Sequence, residues 1–215
     1  MTFIVGVDLG QAQDYTAIVV IEKVGEENLE KAPLHVRHLE RPPLGTYYDE
    51  QVERVKEIVT DPALGGEEIY DEWGELMGRH PPELVVDFTG VGRPVADMMR
   101  KEELSLTPIL IHGGDGTTRD GAVWRVPKRD LVSAAQIALQ SGRLGISREL
   151  ELAEALRREL LNFKVKINIA TAHDSYEAWR ERDHDDLVLA TALACWKATR
   201  RQQGAVAYSF PYSVR

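Results

Sequence analysis

Five aspartates stand where apolar segments begin or end. Asp8 closes the apolar run FIVGVD, and Asp87 closes ELVVD. Asp183, Asp185 and Asp186 crowd together in ERDHDDLVLATALACW, residues 181–196, just before a nearly unbroken apolar stretch. Carboxylates at the C-terminal ends of buried strands sit where open α/β sheets place their ligands. If the first strand, the central strand and the last helix are neighbours, these groups converge. Convergent carboxylate oxygens suit a hard cation such as Mg²⁺ or Mn²⁺, and no Cys/His spacing points to zinc. Plainer roles exist for each residue alone. A strand-terminal Asp often forms a turn. Asp183 can cap a helix, with Asp185 and Asp186 favoured by the helix dipole. Those roles account for one or two of the five and leave the clustering unexplained.

The elements that must position these groups follow from periodicity. FIVGVD (3–8) and TAIVVIE (16–22) read as a strand pair, and LHVRHLE (34–40) alternates like a third, partly solvated strand. Val52, Val55, Ile58 and Val59 recur at helical spacing over 48–60, and a second, acidic helix is expected over 66–79 before the prolines of HPP. Strand 83–87 runs into FTGVGRP and a helix at 93–102, and TPILIH (107–112) gives another strand. GGDGTTRDGAV then reads as the longest loop. Helices are expected at 128–141, after Pro127, and at 149–162. KVKINIA alternates like a strand that turns back near His173, and a last helix covers 184–202. This order is a mixed α/β arrangement around one sheet.

With 215 residues and 43% hydrophobic content, the chain is the size of a single domain spanning 1–215. The apolar runs are too short to cross a membrane, and MTFIVGVDLG lacks the regions of a signal peptide. A cytoplasmic address without a membrane partner is therefore expected. One cysteine, Cys195, excludes an internal disulfide and falls in the apolar helix pattern. A net charge of −9 argues against a polybasic nucleic-acid binder but not against a locally basic face. Lys164 and Lys166 share one face of the expected strand, flanked by Arg157, Arg158, Arg180 and Arg182, and that strip fits DNA phosphates or a lysine-protected edge strand equally well. Lys128 and Arg129, with Arg125, border the glycine loop and either grip a DNA backbone or begin a solvated helix. His173 and His184 are surface polar groups or orient a water, and TGVG (89–92) approaches a phosphate or simply permits a tight turn.

Taken in order, VGVDLGQAQDYTAIVV, LVVDFTGVGRPVADMM, WRVPKRDLVSAAQIALQSGRL, ELLNFKVKINIATAHDSYEAW and DHDDLVLATALA resemble the nuclease domain of phage terminase large subunits. The resemblance runs from residue 4 to about residue 196. It implies a ribonuclease H-like fold, a central mixed β-sheet flanked by α-helices, and metal-dependent endonucleolytic cleavage of double-stranded DNA during genome packaging. It also implies a catalytic triad of Asp8, Asp87 and Asp186 holding two Mg²⁺ or Mn²⁺ ions, with Asp183 as a further ligand one turn earlier. Periodicity alone leaves Asp185 and Asp186 equivalent, because the helix that follows is apolar nearly all round; the family pattern favours Asp186. The implied partners are DNA, the terminase ATPase region, the small terminase subunit and the portal, in the host cytoplasm. No P-loop GxxxxGK[ST] occurs, so the chain is expected to be an isolated nuclease half: an excised piece, or a split or degenerate prophage gene. The other readings are an actin-like nucleotide-binding protein, whose first phosphate loop VGVDLGQAQDYTAIVV also resembles, a non-catalytic packaging module, and a junction resolvase.

Overall fold

A computed structural model of the chain describes residues 1–10, 14–25, 31–66, 68–90, 92–170 and 185–200, excepting the side chains of 92, 93 and 163–170. The strands are β1 (Thr2–Asp8), β2 (Ala17–Lys23), β3 (Leu34–Glu40), β4 (Glu68–Tyr70), β5 (Leu76–Arg79), β6 (Glu83–Asp87), β7 (Leu106–His112), β8 (Thr118–Asp120), β9 (Val123–Pro127) and β10 (Leu144–Ile146). The helices are α1 (Tyr48–Val59), α2 (Gly92–Lys101), α3 (Lys128–Gln140), α4 (Ala153–Ala170) and α5 (Asp186–Ala198). Eight strands form one sheet in the order β10-β3-β2-β1-β6-β7-β9-β8. The meander β1-β2-β3 is antiparallel, whereas β6, β7 and β9 continue from β1 in parallel.

Both faces of the central strands are covered, which is why β1, β2 and β6 read as near-continuous apolar runs. Val5, Val7, Ile18, Val20, Leu84 and Val86 pack on one face against Val52 and Val55 of α1 and Val95 and Met99 of α2. The opposite face, with Ile4, Val19, Ile21, Val85 and Ile109, packs against α3, α5 and Leu156 of α4. Every residue of α5 except Lys197 is buried, so its all-round apolar character is that of a central helix. Each of its fully buried leucines contributes roughly 1.5–3 kcal/mol.

Four expectations change. Residues 68–79 form the hairpin β4–β5 rather than an acidic helix. Asp71 Oδ1 accepts the amides of Trp73 and Glu75, and Gly74 takes φ 83°, so a side-chain-closed turn displaces the helix. The loop after β7 contains a second hairpin, β8–β9, closed at Gly121 with φ 58°. Residues 144–146 add an edge strand to β3 that is too short to show a period. The segment expected as the strand KVKINIA continues α4 without a break. No Gly or Pro interrupts 153–170, so propagation outweighs the alternation of β-branched residues. The expected return near His173 lies outside the described residues.

Candidate functional site

The two strand-end aspartates are direct neighbours. β1 and β6 run in parallel with Asp8 opposite Asp87, a lateral spacing of about 4.8 Å between strands. Asp8 shares its face with Ile4 and Gly6, and Asp87 shares its face with Val85, so both belong to the side that carries α5. Gly6 sets the approach of that helix. A Cβ there would stand 2.1 Å from the Ala190 carbonyl oxygen and 3.1 Å from the Ala194 Cβ. Only a glycine lets α5 lie this close to β1. Ala190 is about one helical turn after Asp186, and Asp8 is two residues beyond Gly6, so the close crossing brings the start of α5 to the end of β1.

The electrostatics report the same convergence. The Asp8 carboxyl is raised well above the ordinary aspartate range, first by burial and then by the charges of Asp87, Asp186 and Asp185, in that order. Lys128 opposes the rise. Asp87 and Asp186 are both buried. Asp87 Oδ1 accepts the Thr89 amide at 2.7 Å, and Thr89 Oγ1 in turn accepts the Ile111 amide, which ties the glycine turn after β6 to β7. Asp185, at the position before α5, receives Lys128 Nζ at 3.3 Å.

Asp8 and Asp87 are thus direct neighbours, and the charges of Asp186 and Asp185 at the start of α5 act on Asp8. Lys128 turns to this cluster, rather than to a loop-side DNA contact alone. Arg129 is exposed and pairs with Asp115 at 2.7 Å. Asp183, His173, His184, Arg180 and Arg182 lie outside the described residues. The side chains of Lys164 and Lys166 are likewise not described, and the helical backbone removes the strand face on which the pair was expected. Arg157 is bound to Glu154 on its own helix. Burial pushes the Cys195 thiol up to about 12, in keeping with an inert packing role.

Two further contributors were not singled out from the sequence. Glu159 of α4 and Arg41, just after β3, pair at 2.5 Å, and Arg41 Nη2 also stands 3.4 Å from Asp186 Oδ2. The Arg41 guanidinium lies over the Tyr15 ring, 5.0 Å from its centroid. Glu159 opens the quoted stretch ELLNFKVKINIATAHDSYEAW and Arg41 precedes a proline pair, but neither position marks a role in the sequence, because their partners are distant along the chain.

Among the described residues, no three histidine, cysteine or acidic side chains stand close enough to constitute a formed metal-binding group. The donor chemistry nonetheless fits a hard divalent cation. The donors are all carboxylates, two of them buried, and the mutual repulsion that raises Asp8 is what a cation relieves. Among the described residues no helix is long and apolar enough to cross a membrane.

No family model matches the chain. No curated protein matches it either. Among solved structures, the large terminase nuclease from thermophilic phage G20c aligns over 90% of this chain and 80% of its own, with 18% identity and a TM-score of 0.53. RuvC of Thermus thermophilus aligns over 92% of this chain and 94% of its own, with 13% identity and a TM-score of 0.41. The mixed sheet, its flanking helices and the likeness to the phage nuclease together identify the fold as ribonuclease H-like.

Proposed function

We propose that this chain is a divalent-metal-dependent endonuclease that cleaves double-stranded DNA, acting as the nuclease of a phage terminase large subunit. The observation that carries the reading is the pairing of Asp8 with Asp87 beneath the start of α5, with Asp186 and Asp185 charged against Asp8. The likeness of fold to a terminase nuclease supports the substrate class. Asp8, Asp87 and Asp186 would hold Mg²⁺ or Mn²⁺, with Asp183 as a further ligand. When bound, such ions activate water and neutralise charge at the scissile phosphate.

The remaining chemistry belongs to the chain's own groups. Asp8 and Asp87 hold their carboxylates at fixed spacing because adjacent parallel strands present them. Asp87 keeps its orientation through the Thr89 amide. Lys128 offsets part of the cluster's negative charge and engages Asp185. Lys128, Arg129, Lys164 and Lys166 are the proposed contacts to DNA phosphates. In packaging, the partners would be the terminase ATPase region, the small terminase subunit and the portal, in the cytoplasm of the host.

The direct test is incubation of the chain with supercoiled plasmid and Mg²⁺, Mn²⁺, Ca²⁺ or a chelator. Nicked and linear products should form with Mg²⁺ and Mn²⁺ and disappear with chelator, with little sequence preference because phosphates rather than bases are engaged. Asp8→Asn should abolish cutting while the fold persists. Equal cutting by parent and variant, or none by either, would overturn the reading.

A further inference from the structure

An α-helix begins with backbone N–H groups that lack intrahelical partners, and a side chain at the preceding position usually supplies an acceptor. In α5 that position is Asp185, whose carbonyl accepts the Leu189 amide and so starts the helical ladder. The Asp185 side chain nevertheless makes no capping hydrogen bond. Its place is taken from another element. Glu159 Oε2 accepts the Leu187 amide at 3.1 Å and the Val188 amide at 3.3 Å, the two amides that an aspartate cap would serve. The second oxygen, Oε1, accepts from Arg41 Nη2. Both Glu159 oxygens are thereby committed to protein donors, which makes Glu159 a poor candidate for a metal ligand.

We propose that Glu159 and Arg41 are positioning residues that cap α5 from outside, leaving the carboxylates of Asp185 and Asp186 turned to the metal-binding cluster. The proposal rests on the functional reading above. Arg41 joins the two halves of the device, since the same Nη2 that meets Glu159 stands beside Asp186 Oδ2. Without Glu159, the amides of Leu187 and Val188 fall to Asp185, the residue best placed to cap them by position. Capping and facing the cluster then compete for one side chain. A purely structural cap would change stability alone, whereas a positioning cap changes the affinity for metal.

The experiment is titration calorimetry of Mn²⁺ into the metal-free chain, without DNA, for the parent, Asp8→Asn, Glu159→Ala, Glu159→Gln and Arg41→Lys. Thermal unfolding of each metal-free protein accompanies it. The parent should bind and Asp8→Asn should not. Glu159→Ala should bind roughly 10–100-fold more weakly, the range for residues that orient ligands, with only a small change in metal-free Tm. Glu159→Gln keeps an acceptor for the amides and should fall between, and it also serves should the alanine variant fail to fold. Arg41→Lys, which loses the rigid guanidinium whose Nη2 stands between the two carboxylates, should also bind more weakly. If Glu159→Ala and Glu159→Gln lose stability but bind Mn²⁺ like the parent, the pair is only structural and the nuclease reading stands. If the parent itself binds no Mn²⁺, the functional reading falls and the proposal falls with it.

Discussion

At the scale of single residues, Asp8 is the group whose chemistry depends most on its neighbours. In the metal-free fold its proton is held more tightly than in the unfolded chain, because burial and three nearby carboxylates disfavour the charge. Between the ordinary aspartate pKa and the raised folded value, the folded state therefore carries more protons than the unfolded one. Stability falls as pH rises through that window and stays lowered above it. Asp8→Asn removes the penalty. Without metal, the variant should unfold at a higher temperature than the parent at about pH 7, and the gap should close towards about pH 3, below the ordinary aspartate pKa, where both states of Asp8 are largely protonated. A parent that is the more stable at neutral pH would contradict this. Saturating Mn²⁺ should reverse the order, since a ligand about 100-fold above its Kd adds about 2.7 kcal/mol to the form that binds it. The two aspartates at the start of α5 should also separate. Asp186 is buried and raises Asp8 more than Asp185 does, while Asp185 is engaged by Lys128. Asp186→Asn should abolish plasmid cutting and Asp185→Asn should only reduce it; the reverse order would move the ligand assignment by one residue.

At the scale of elements, the crossing of α5 over β1 is the contact on which the site depends. Gly6→Ala would place a methyl group 2.1 Å from the Ala190 carbonyl, so strand and helix must part. The expected cost is about 1–3 kcal/mol in urea unfolding. Because the same shift carries Asp186 away from Asp8, the Mn²⁺-induced rise in Tm should shrink as well. A variant with unchanged unfolding and unchanged metal response would show that the close approach is not needed. Much of this framework was legible from the chain. β1, β2, β3, α1, β6, α2, β7 and α3 follow their apolar periods, and α5 announced its burial by being apolar all round. The acidic hairpin β4–β5 was not legible, because its turn is made by amide hydrogen bonds to Asp71 Oδ1 and a left-handed Gly74 rather than by a hydrophobic pattern. That Asp8 and Asp87 close buried strands, and that Asp186 opens the last helix, could be read from strand ends and helix starts. Glu159 and Arg41 could not, because their role exists only through contacts between distant elements.

At the scale of the whole molecule, a net charge of −9 sets how the chain meets a polyanion. That charge leads to the expectation of few phosphate contacts, so binding to duplex should be weak and should decline with a shallow slope in log salt. Each cation that meets a phosphate should reduce that slope by about one when removed. Lys164→Ala with Lys166→Ala should weaken binding alike on all sequences if α4 faces DNA, and a double variant that binds like the parent would remove those lysines from the interface. The central claim is that Asp8, Asp87 and the start of α5 enclose a divalent cation. Anomalous scattering from crystals of the parent soaked in Mn²⁺ tests it most directly. The account predicts a peak in contact with Asp8, Asp87 and Asp186, absent from Asp8→Asn crystals treated in the same way. No peak between those carboxylates, at a Mn²⁺ concentration that supports cleavage in solution, would contradict it.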